Sequence, residues 1–144
     1  MKTEQKIEKY ILKYMNISRR KRSKGRLSSN RGLKKVARGH SKTMAKKGKI
    51  WHGNGVHIAI NSVSRKKGFW GFISSIFSSY SRSGENVGMI GGFRDPQKIG
   101  KKFHNMWMKS PGHKANMMNS DFSLVGIGVK KGRKGWFATQ LFVG

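Results

Sequence analysis

Cysteine is absent from this sequence, which excludes disulfides, thiolate metal ligands and Cys–His catalysis. Acids are almost as scarce. Glu4, Glu8, Glu85, Asp95 and Asp121 stand against 32 lysines and arginines, for a formal net charge of +27. No apolar run approaches the roughly 18–20 residues of a membrane-spanning helix, so no transmembrane segment is expected. The stretch MKTEQKIEKYILKYMN also lacks the apolar core of a secretory leader. A G-x-S-x-G elbow, H-E-x-x-H, a phosphate loop and a dinucleotide fingerprint are all missing. So are zinc-finger spacing, an RNA-recognition signature and a basic zipper.

What remains is enough to fold. The chain of 144 residues is 35% hydrophobic and 10% aromatic, which fits one domain, 1–144, around a single core. The positive charge has two readings. It serves a polyanionic partner (nucleic acid, anionic lipid or acidic glycan) by counterion release, or it is a property of the whole exposed surface. The basic residues are spread along the chain, which suits the second reading. With so few acids, each is informative. Glu4 and Glu8 read as a solvated helix face, Asp95 before Pro96 as a helix cap, and Asp121 as part of a turn. Glu85, in SGENVG, is the one acid without an evident local task.

Residues 4–17 place Ile7, Tyr10, Ile11, Tyr14 and Met15 at helical spacing. SRRKRSKGRLSSN, 18–30, reads as a basic solvated loop, with a nuclear signal or a phosphate-binding patch as the alternative. Asn30 suits the cap of a second helix that buries Leu33, Val36, Ala37, His40, Met44 and Ala45 and ends at Gly48. From 51 to 94 the period is lost, apart from the aromatic stretch GFWGFISSIFSSYS at 68–81. That stretch is amphipathic, and either packs on the core or meets a membrane or partner. A third helix starts at Asp95-Pro96 with Ile99, Phe103, Met106 and Trp107 on one face. Ser110-Pro111 opens a short fourth, where Ser can cap free amides and Pro suits the first helical position. FSLVGIGVKKGRKGWFATQLFVG reads as two strands, about 122–130 and 135–143. Helices followed by a terminal hairpin make an α+β protein.

The polar candidates for chemistry are His40, His52, His57, His104, His113 and Glu85. Two histidines and a carboxylate are a recognised zinc set with an open position. His52, Glu85 and His113 could form it, since each lies beside glycine-rich or turn sequence. Ordinary hydrogen-bonded polar residues are the alternative.

The order of the segments carries more. LKKVARGHSKTMAKKGKIWH, then GENVG, then MWMKSPGHKANMMNSDFSLVGIGV, then WFATQLF resembles the CAP superfamily, or SCP-like domains. Cysteine-rich secretory proteins, insect antigen 5 and pathogenesis-related plant proteins belong to it, and the likeness is to its bacterial or archaeal branch without cysteines. It runs from about Ile7 to Phe142. The resemblance implies an α-β-α sandwich with a small, mostly antiparallel sheet and a central cleft. It also implies a cleft set of His52, Glu85 and His113, with Ser110 where fuller members carry a second Glu, and Asn86 beside Glu85. Zinc or another divalent metal is the implied cofactor. One carboxylate instead of two weakens both metal affinity and acid–base chemistry. His40 and Asn116 are expected to brace the fold, while His57 and His104 match no cleft position. The expected function is a non-enzymatic binding or interaction module, extracellular by resemblance, with an unidentified ligand in its cleft. A metal-assisted hydrolase of peptides or esters and a polyanion-binding protein are the alternatives.

Overall fold

The computed structural model describes residues 1–53 and 82–144. Its elements, in chain order, are α1 (Thr3–Lys21), β1 (Ser28–Ser29), α2 (Arg31–Lys47), β2 (Ser83–Ile90), α3 (Pro96–Met108), α4 (Pro111–Met118), β3 (Leu124–Gly132) and β4 (Gly135–Val143). The aromatic stretch 68–81 and His57 lie outside the described residues.

The expected hairpin is the centre of the sheet. Strand order is β1-β3-β4-β2, with β3–β4 and β4–β2 antiparallel and the two-residue β1 parallel to β3. Strand alternation then sorts side chains between two helical layers. Val125, Ile127 and Val129 of β3 face a layer of α1, α3 and α4, where Ile7, Ile11, Met15, Ile99, Phe103 and Trp107 complete the larger core. Gly126 and Gly128 face α2 instead. A Cβ at either would overlap the α2 backbone at Leu33, Ala37 or Arg38, so only glycine lets the helix lie this close. On that side Met44, Val87 and Phe137 form a smaller cluster.

The helix signals hold where a side chain does the capping. Asn30 Oδ1 accepts from the Leu33 amide at 3.0 Å, and Asp95 Oδ2 from the Lys98 amide at 2.9 Å. Ser110 occupies the cap position of α4, but its side chain accepts no hydrogen bond there. Two expectations need correction. The 18–30 segment is not all loop: α1 continues to Lys21, because Arg19 falls on its buried face and basic residues are good helix formers. Arg19 satisfies its guanidinium with the carbonyls of Gly25 (2.6 Å), Met117 (2.8 Å) and Asn119 (3.0 Å). Glu8 is not solvated either. It is 4% exposed and takes Arg38 Nε and Nη2 at 2.7–3.0 Å, joining α1 to α2. Asp121 does sit in a turn, where it pairs with Arg82.

Candidate functional site

Glu85 lies on β2, at one edge of the sheet among the described residues, opposite Leu141 of β4. Directly opposed residues share a face, and Leu141 lies two residues along β4 from Thr139, on the same face, where the Thr139 hydroxyl meets Ser41 of α2 at 2.8 Å. Glu85 therefore points to the α2 side, and its side chain is only 8% exposed. His52, in the segment after α2, reaches it: Nδ1 is 3.1 Å from Glu85 Oε1, while the His52 side chain stays 61% exposed. The Gly53 amide also donates to the carboxylate. His113 arrives from the other side of the strand, in the first turn of α4, with its ring centroid 6.1 Å from that of His52. The structure thus places Glu85 and His113 each near His52, at the β2 edge.

A polar brace fixes α4 against β2. Asn86 Nδ2 donates to the His113 carbonyl and to Gln140 Oε1, both at 3.0 Å. Asn116 Nδ2 donates to Asn86 Oδ1 at 3.0 Å and to the Glu85 carbonyl at 3.2 Å. Asn86 is fully buried among these partners. It neighbours Glu85 in sequence and, by strand alternation, faces the opposite way. Ser110, three residues ahead of His113, is half-buried at the head of α4.

His40 is the residue that sequence reasoning misplaced. It is half-buried rather than core. Its Nε2 lies 2.8 Å from the Trp51 carbonyl. A carbonyl only accepts, so Nε2 carries the proton and Nδ1 keeps its lone pair in the neutral ring. A Cβ built on Gly53 would stand 3.3 Å from both His40 Nδ1 and Glu85 Oε2, so the two groups flank Gly53. The Trp51 ring meets His40 edge-on at 5.4 Å. The signal was present in the sequence, as His40 lies one turn before Met44 at the end of α2 that leads into Trp51-His52.

The electrostatics follow from this packing. Burial pushes the Glu85 carboxyl above its ordinary value, and the His40 and His52 rings and the Gly53 amide oppose that rise. Burial and the neighbouring His52 hold His113 below the usual imidazole value, which keeps it neutral at physiological pH. A neutral imidazole and an anionic carboxylate are donors a divalent cation accepts. The geometry meets only part of that requirement. Zinc with donors at about 2.0–2.2 Å sets donor atoms roughly 3.3 Å apart and two imidazole centroids roughly 5 Å apart. The His52–Glu85 pair matches the first spacing; the 6.1 Å between His52 and His113 exceeds the second. Among the described residues, no three His, Asp or Glu side chains converge as a metal-holding group.

An α-β-α sandwich with a His/Glu cluster at the sheet edge is the class that fold and site define. The chain belongs to the CAP (cysteine-rich secretory protein) family, whose model matches residues 12–143. It is 28% identical over 137 residues to the uncharacterized protein YkwD of Bacillus subtilis, covering 95% of this chain and 47% of that protein. A Bacillus anthracis extracellular protein containing an SCP domain superposes with TM-score 0.66 at 26% identity, over 97% of this chain and 41% of that one. An outer surface protein of Borrelia burgdorferi superposes with TM-score 0.71 at 19% identity, over 99% and 95% of the two chains, which shows the shared fold. The chain thus spans less than half of each Bacillus relative. No described helix is long and apolar enough to cross a membrane.

Proposed function

We propose that this CAP domain is a non-enzymatic binding module whose cleft takes a small polar ligand or a divalent cation such as zinc at His52, Glu85 and His113. The observation that carries the reading is the Glu85 carboxylate. It is 8% exposed, yet its side-chain partner His52 is 61% exposed, so a buried carboxylate sits directly beside a solvent-facing imidazole. For a cation, His52 and Glu85 supply two donors as they stand, and His113 closes by roughly 1 Å to become the third. Ser110 in place of a second carboxylate removes the paired acid and base that hydrolysis would use. An extracellular position is supported by the extracellular and outer-surface character of two of the similar structures, and cell fractionation checks it.

Zinc titration by calorimetry tests the cleft, on wild type and on the double variant His52→Ala with His113→Ala. Heat in wild type that the double variant loses is expected. Identical heats in the two proteins would overturn the cation reading. Metal-dependent turnover of a peptide or ester that Glu85→Gln abolishes would replace the non-enzymatic reading with a hydrolase.

A second reading rests on the net charge of +27: a polyanion partner held by the basic surface. Its mark is an affinity that falls steeply between low and physiological salt.

A further inference from the structure

A cavity among the described residues lies apart from His52, Glu85 and His113. It measures about 840 Å³ and is lined by α1 and the turn after it. Six cations line it: Lys6, Lys9, Lys13, Arg20, Lys24 and Arg26. At 100° per residue the four on α1 fall within roughly 60° of one another, a single face of the helix. That face is opposite the one carrying Ile7, Ile11, Met15 and Arg19 into the core. All but Lys24 are exposed.

The turn that adds Lys24 and Arg26 is held in place rather than loose. Arg19 Nε donates to the Gly25 carbonyl at 2.6 Å. Asn16 brackets Leu27, accepting from its amide at 3.0 Å and donating to its carbonyl at 3.1 Å. Two further features narrow the chemistry. None of the described lining residues is acidic, and Tyr10, Leu12 and Ile17 set half-buried apolar surface to either side of the cation stripe. The aliphatic Leu12 and Ile17 offer an acidic glycan no hydrogen-bonding group and a polynucleotide no ring to stack on. Single-stranded nucleic acid binding relies on stacking rings, and Tyr10 is the only aromatic among the described lining residues. A phospholipid offers both an anionic head and a chain. Long Lys and Arg side chains reach such heads while their stems lie along apolar surface.

We propose that the outer face of α1, with the turn carrying Lys24 and Arg26, docks on the anionic surface of a lipid bilayer. The cations meet headgroup phosphates, and Ile17, at the edge of the cation stripe, lies against the headgroup layer. The proposal rests on the polyanion reading above and narrows it to one face and one chemical class.

Co-sedimentation with vesicles of three parts phosphatidylcholine to one part phosphatidylglycerol tests it, against pure phosphatidylcholine vesicles and against polyuridylate. The variant is Lys9→Gln, Lys13→Gln and Arg20→Gln together. Its control, with the same net charge, combines Lys46→Gln, Arg133→Gln and Lys134→Gln, all exposed residues on other elements. The whole chain is expected to bind the anionic vesicles and not the neutral ones. The α1 variant should weaken that binding at least about tenfold and the control less than about twofold. Equal weakening by both would remove the α1 face from the proposal and leave only general charge. Binding to polyuridylate without binding to anionic vesicles would overturn the lipid proposal and keep the polyanion reading. Binding to neither would sink both.

Discussion

The two helical layers cover the same sheet by opposite means. The layer of α1, α3 and α4 fills its space with bulk: Ile7, Ile11, Met15, Phe103 and Trp107 are wholly buried against the inward residues of β3 and β4. The α2 layer removes bulk instead. Gly126 and Gly128 let the α2 backbone rest on β3, and Ser41 Oγ donates to the Gly128 carbonyl at 2.8 Å. A bulky layer has side chains that can repack, whereas a backbone-to-backbone contact has nothing to move. The second layer is therefore the less forgiving, and it is also the one that carries His40 and leads into His52.

Gly128→Val attacks that contact most directly. The added side chain would meet Ala37 and Arg38 backbone, so a loss of about 4 kcal/mol or more is expected in denaturant unfolding, at the upper end for a single substitution. Ile99→Val, which removes one methyl from the bulky layer, should cost about 1 kcal/mol. Comparable losses from the two changes would abolish the contrast between the layers.

The bulky layer has its own weak point. His104 of α3 is 5% exposed, shares one hydrogen bond between Nε2 and Ser18 Oγ at 2.7 Å, and finds no partner for Nδ1 among the described residues. Burial, helped by the charge of Arg22, lowers its pKa from 6.5 to about 4. Because the folded value lies below the unfolded one, the unfolded chain takes up this proton first as pH falls. Stability from His104 is thus full above about pH 6.5 and is lost progressively towards pH 4, by about 3 kcal/mol in all. His104→Phe should flatten the unfolding free energy across that window. An unchanged pH slope in the variant would place the titrating group elsewhere.

The fold was legible wherever one side of an element is apolar and the other is not. α2 and α3 satisfy that condition, and the β3–β4 hairpin, buried on both faces of β4, was legible as two apolar runs about a polar turn. β2 does not: SGENVGMI alternates no clean hydrophobic face, since Asn86 is buried by hydrogen bonds and Gly84 and Gly88 have no side chain to show. The end of α1 escaped for a related reason, because Arg19 is buried through three carbonyls and reads as surface. The cleft was legible only through the ordered family motifs, as separations of 33 and 28 residues, from His52 to Glu85 and from Glu85 to His113, carry no distance information. Which of two adjacent residues faces the cleft depends on strand register. Glu85 and Asn86 were therefore expected together and found on opposite faces.

The two layers are also tied to each other, and the tie is polar. Arg38 of α2 sends Nε and Nη2 to the Glu8 carboxylate of α1, in a forked arrangement at 2.7–3.0 Å. Forked guanidinium–carboxylate pairs are geometrically demanding and strong when shielded. Here the carboxylate side chain is 5% exposed while the Arg38 side chain is 34% exposed, so water reaches one partner and screens the pair. Glu8→Ala is accordingly expected to cost about 2 kcal/mol, less than the loss of a fully buried pair. Because Arg38 also lies where Gly128 meets α2, the cost should be non-additive with Gly128→Ala, since contacting residues couple. A double-mutant cycle measures that coupling. Strict additivity would mean that the clasp and the glycine contact act independently, and that α2 is held to the sheet without help from α1.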